Sequence, residues 1–83
     1  MSLIDNLSNE KLFTKSEIEV INFIKENPNL VLNMTIGELA NQTFSSNTTI
    51  IRICKKLGFN GFRDFKIEYL RNIESLKYLN NEP

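Results

Sequence analysis

Arg52, Lys55, Lys56 and Arg63 are the charged residues between Leu39 and Arg63, a stretch that contains no carboxylate. Basic side chains grouped in this way offer one kind of chemistry. They form charge-assisted hydrogen bonds to phosphate oxygens, and an arginine can also contact a guanine edge through two bonds. The chain as a whole is neutral, with ten basic and ten acidic residues. Residues 1–38 carry six acids and three bases, and residues 64–83 carry four acids and three bases. The positive charge is therefore local, and a local basic patch suits a polyanion better than the neutral total suggests.

Other chemistries are poorly supplied. The chain has no histidine, so it lacks the commonest general base and the commonest transition-metal ligand. Its single cysteine, Cys54, cannot form an intramolecular disulfide, and it offers too few soft ligands for structural zinc. Cys54 reads as a small core residue. No phosphate-binding glycine loop follows a strand-like run. Asp64, Lys66 and Glu68 sit at ordinary helix-surface spacings. The sequence thus nominates no catalytic residue, no metal site and no cofactor.

The basic residues need elements to hold them on one side. Eighty-three residues make one small domain, and the ordinary hydrophobic fraction of 41% predicts a folded one. No apolar run approaches the ~20 residues of a membrane span, and no signal peptide opens the chain, so a cytoplasmic location is expected. Capping residues divide the chain into helices. Thr14 to Glu17 is a capping box, and the helix behind it runs to about Glu26, apolar over most of its circumference. Asn27-Pro28 restarts the chain for a short helix to Leu32. Thr35 to Glu38 is a second capping box, opening a helix over Ile36 to Thr43. After a turn at Phe44-Ser45, Ser46 caps a helix over Asn47 to Leu57, which Gly58 ends. A last helix fits Phe62 to about Leu79, and Leu3, Ile4 and Leu7 suggest one more at the N-terminus. The expected fold is all-α, a small bundle of five or six helices.

Two short helices joined by about three residues form a helix-turn-helix. At 100° per residue, Ile50, Ile53, Cys54 and Leu57 share one face of the second helix, which should face the core. Opposite lie Thr48, Arg52 and Lys55, flanked by Asn47, Ile51 and Lys56. This face has hydrogen-bonding residues at its start, bases further along and no carboxylate to repel phosphates, as a DNA-facing helix requires. The candidate DNA-binding residues are Ser46, Asn47, Thr48, Ile51, Arg52, Lys55, Lys56 and Arg63. Arg52 is the candidate for a base edge and Ile51 for a thymine methyl. Lys55, Lys56 and Arg63 are the candidates for phosphates.

The run from Met34 to Lys66, with Thr14 to Glu17 and Asn27-Pro28 before it, resembles the N-terminal DNA-binding domain of the RpiR (MurR/RpiR) family of bacterial transcriptional regulators, over about residues 12–70. The resemblance rests on Thr35-Ile36, Glu38-Leu39-Ala40, Ser46, Thr49-Ile50 and Arg52, then on Cys54 to Phe59, Gly61-Phe62 and Phe65-Lys66. It implies double-stranded operator DNA as the partner, a homodimer, and regulation of sugar or amino-sugar metabolism. It also implies that residues 1–79 are the DNA-binding domain, and that 80–83 are a polar tail leading to a C-terminal sugar isomerase (SIS) domain. That domain would bind a sugar-phosphate effector. The turn departs from the family, where a glycine followed by an apolar residue is common. Phe44 is accordingly expected to be buried between the two helices as the turn's apolar anchor. Leu3, Ile4 and Leu7, with Ile67, Leu70 and Tyr78 of the last helix, are expected to pair across a twofold axis, the first helix covering the other chain. The alternative reading from the residues is a helical protein-interaction module whose basic face binds an acidic partner.

Overall fold

The computed structural model describes the backbone of residues 3–80, and the side chains in that span except those of residues 4–5 and 76–80. The described residues are all-helical: α1 (Leu3–Leu7), α2 (Lys15–Glu26), α3 (Pro28–Leu32), α4 (Ile36–Gln42), α5 (Asn47–Lys56) and α6 (Phe62–Asn80). A turn of 3₁₀ helix at Glu10–Leu12 joins α1 to α2. Nothing in the hydrophobic spacing announced that turn, in which Asn9 caps the Lys11 amide at 3.3 Å.

Local chemistry accounts for the helix starts. In both capping boxes the threonine hydroxyl accepts from the glutamate amide, and the glutamate carboxylate accepts from the threonine amide. These pairs satisfy two of the amides that a helix start leaves orphaned. Pro28 opens α3, where its missing N–H costs nothing.

α5 is the centre of the bundle, packed against α2, α4 and α6. It contributes Ile50, Ile53 and Cys54 to the core, and α2 contributes Val20, Ile21 and Ile24. The fully buried Phe65 of α6 lies between Phe62 and Tyr69, with ring centroids 6.1 and 5.3 Å away, and meets Phe59 edge-on. The Tyr69 hydroxyl donates to the Ile24 carbonyl at 3.2 Å and ties α6 to α2. Burial raises the pKa of this phenol above its ordinary value.

Two expectations require correction. Leu3 and Leu7 are buried within their own chain, where α1 packs on α6. The first helix is therefore not an unpartnered stripe awaiting a second copy; the chain folds it back onto α6. The Ile4 and Tyr78 side chains lie outside the described residues, as do residues 81–83 of the expected tail; Asn80 is helical. Phe44 is not buried but 98% exposed, with a φ of 53°. Among the described residues, no helix is long and apolar enough to cross a membrane.

Candidate nucleic-acid interface

α4 and α5 form the helix-turn-helix, and the turn between them is built from backbone bonds. The Ser45 amide donates to the Ala40 carbonyl at 2.8 Å, and the Phe44 amide to Asn41 at 3.3 Å. This paired pattern is a Schellman ending, in which the residue just past the cap adopts the left-handed conformation. That residue is Phe44. The Thr43 hydroxyl bonds both the Leu39 carbonyl and the Ser45 hydroxyl at 2.8 Å, which locks the turn from the side. The chain direction so set sends the Phe44 ring into solvent.

Ser46 then starts α5, its hydroxyl accepting from the Thr49 amide at 3.2 Å. The Thr49 hydroxyl lies 3.1 Å from the same oxygen and is occupied locally. Helical phase does the rest. Because Ile50, Ile53 and Cys54 are drawn into the core, Asn47, Thr48, Arg52 and Lys55 face solvent. Ile51 is 38% exposed among them. Burial pushes the Cys54 thiol up to about 12, so it stays protonated near neutrality and acts as a core residue.

Lys56 does not join that face. Its ammonium sits 2.6 Å from Glu17 Oε1, on α2, and 5.8 Å from the centre of the Phe13 ring. The Glu17 side chain is 1% exposed and that of Lys56 is 30% exposed. Glu17 therefore has two tasks: it closes the α2 capping box with one oxygen and holds Lys56 with the same atom. Its other oxygen is buried without a partner among the described residues. Burial alone would raise the carboxyl pKa. The Lys56 bond and charge and the bonds from Thr14 outweigh burial and hold it below its ordinary value. Lys56, expected from the sequence to pair with phosphate, has its ammonium bonded to Glu17 instead. The contact that claims it spans 39 positions of sequence, which no local pattern reveals.

Arg63 is exposed at the start of α6. It borders an open groove of about 690 Å³ that also touches Ile51 and Lys55 of α5. Lys66 lines the same groove and was missed by the sequence reading. Its spacing of three from Arg63, nearly one helical turn, was the available signal.

Residues 1–75 match the helix-turn-helix domain of the rpiR family. An HTH-type transcriptional regulator of Clostridium perfringens is 37% identical over 78 residues, 93% of this chain and 28% of that protein. Another, from Caldanaerobacter subterraneus subsp. tengcongensis, is 41% identical over 56 residues, 68% of this chain and 20% of that protein. The chain thus spans less than a third of the length of these relatives. The crystal structure of the N-terminal domain of the transcriptional regulator YbbH from Bacillus subtilis superposes with a TM-score of 0.73 at 28% identity. That match covers 82% of this chain and 80% of that one.

Proposed function

Because the chain belongs to the rpiR family of helix-turn-helix domains, the DNA-binding domains of transcriptional regulators, we propose that it reads the major groove of an operator with α5. The single observation that supports this reading is the outward face of α5. It carries Asn47, Thr48, Arg52 and Lys55, has no carboxylate, and begins at the Ser46 cap. Arg52 addresses a base edge, with Asn47 and Thr48 toward the helix start and Ile51 against a thymine methyl. Ser46, Lys55 and Arg63 address phosphates. Lys56 is withdrawn from the set because Glu17 holds it.

The working unit is a homodimer, whose two α5 helices meet successive major grooves about one DNA turn apart. The exposed Ile67 and Leu70 of α6 are its contact surface. In the longer regulator a C-terminal domain binds a sugar phosphate, the target genes serve sugar or amino-sugar metabolism, and the protein works in the cytoplasm. These last points rest on the resemblance alone. The alternative of an acidic protein partner has no observation in its favour.

The test is affinity for an operator selected in vitro with the intact chain. Arg52→Ala should weaken specific binding by about 1–3 kcal/mol and relax the preference at one base pair. Lys55→Ala should weaken all duplexes alike and lower the salt slope by about one unit. Equal affinity of both variants and the parent for that operator would overturn the assignment.

A further inference from the structure

The groove between α5 and the start of α6 extends beyond the base-reading face. It is lined by Ile36, Ile51, Lys55, Phe62, Arg63 and Lys66, with Asn60 and Gly61 beside them. Three of its lining residues are cations and none is a carboxylate. Three others, Ile36, Ile51 and Phe62, give it apolar sides. An occupant complementary to both features has a fixed negative charge and an apolar body.

Lys66 is not a loose surface cation. It is half-buried, its ammonium donates to the Met34 carbonyl at 2.9 Å, and it lies 4.9 Å from the centre of the Phe62 ring. A carbonyl and a ring fix its position, and among the described residues its charge has no counter-ion. An ammonium has three donors, and the Met34 carbonyl takes one. Ile51 and Lys55 belong both to this groove and to the outward face of α5. A DNA strand bordering the groove that α5 reads would therefore run directly into it.

We propose that this groove seats one phosphodiester and its deoxyribose from the strand beside α5, with Lys66 and Arg63 as the cations that hold the phosphate. The part-exposed Ile36 and Ile51 side chains take the apolar face of the sugar, while Phe62, buried beneath Lys66, supports the ammonium from below. This inference rests on the reading that α5 faces DNA. It adds a fixed point one helix away from the base contacts, which sets how deeply and at what angle α5 enters. A Cβ built on Gly61 meets nothing within 4 Å, so space does not demand glycine there.

The experiment uses the intact chain, the operator selected in vitro, and a series of duplexes in which single phosphates are replaced by neutral methylphosphonates. In the parent, one substitution beside each α5 half-site should weaken binding roughly tenfold at 0.1 M salt. Lys66→Met keeps the apolar stem over Phe62. It should lose a similar factor on native DNA and lose nothing more on that one methylphosphonate duplex. Gly61→Asp adds a helix-capping side chain, which the fold tolerates, but puts a carboxylate at the groove. It should weaken binding while Gly61→Ser, a cap without charge, does not. If Lys66→Met and Gly61→Asp bind native operator as the parent does, or if the Lys66→Met and methylphosphonate losses multiply, the proposal fails. Arg52→Ala separates the two readings. Weakening by Arg52→Ala with no effect at Lys66 leaves the α5 reading standing and removes only the groove. A parent chain that binds no duplex removes both. Chemical-shift changes at Lys66 and Phe62 with inorganic phosphate but not with DNA would make the groove a small-anion site and overturn the proposal.

Discussion

α4 and α5 end in the same hydrogen-bond pattern but on different residues. At the end of α5 the Phe59 amide donates to Cys54 at 2.9 Å and the Gly58 amide to Lys55 at 3.0 Å. At the end of α4 the corresponding bonds run from Ser45 to Ala40 and from Phe44 to Asn41. The left-handed position is Gly58 in one, with φ 95°, and Phe44 in the other, with φ 53°. The apolar residue is also displaced by one. Phe59 follows the left-handed glycine, and its ring packs against the core. Phe44 is the left-handed residue itself, and its ring points away. A single step of register therefore separates an anchor from an exposed aromatic. The two ends differ in support as well. The end of α5 is tied to α2 through Lys56 and Glu17, whereas the side-chain bonds of the turn after α4 join Thr43 to Ser45 and to the end of α4 itself.

Removing the tie should have the largest effect. Lys56→Met leaves the buried Glu17 carboxylate with its Thr14 bond but without a cation, and urea unfolding should show a loss of about 2–3 kcal/mol at neutral pH. The loss should shrink in acid. In the parent, the folded-state carboxyl is held below its ordinary value of 4.5, so its contribution is present above that pH and fades as pH falls through the lowered value. In the variant, protonation removes a penalty instead. A gap between the two proteins that widens below pH 4.5 would contradict the pairing.

Next comes the left-handed glycine. Gly58→Ala should cost about 1–2 kcal/mol by thermal unfolding. Nothing lies within 4 Å of the added carbon, so the whole cost is backbone conformation rather than crowding. Phe44→Gly tests the same conformation in reverse. Relief of the left-handed strain is partly offset by the freedom glycine gains in the unfolded chain, so a gain of about 0.5 kcal/mol is expected. The smallest effect is that of Phe44→Ala, within about 0.5 kcal/mol, because the ring touches little. A loss of several kcal/mol there would mean that the ring is buried after all, and the contrast between the two ends would collapse.

Much of the fold was legible because its signals are local. Thr14, Thr35 and Ser46 each cap the helix that follows, and Gly58 ends α5, as their positions predicted. A cap bonds within three residues, so a short stretch of sequence contains the whole interaction. The spacing of Ile50, Ile53 and Cys54 likewise set which side of α5 turns inward, and by subtraction that Asn47, Thr48, Arg52 and Lys55 turn outward.

Family pattern misled at Phe44, because an apolar residue in the turn was assumed to seek the core. The assumption overlooked the fact that backbone conformation aims the side chain, and that the Schellman bonds dictate this conformation before packing can. The two adjacent lysines show the other limit. Lys55 and Lys56 are equivalent by type and close in helical phase, and nothing within α5 separates them. Only the packing of α2 across α5 brings the buried Glu17 carboxylate to one of them and leaves the other in solvent. A buried charge needs a partner within a few ångströms, and which cation stands there depends on the angle between two helices. The groove at Lys66 has the same origin. The sequence by itself determined the helices, their caps and the phase of α5. The tertiary structure decided which charges are spent inside the protein and which remain for a ligand, because that choice rests on contacts between residues far apart in the chain.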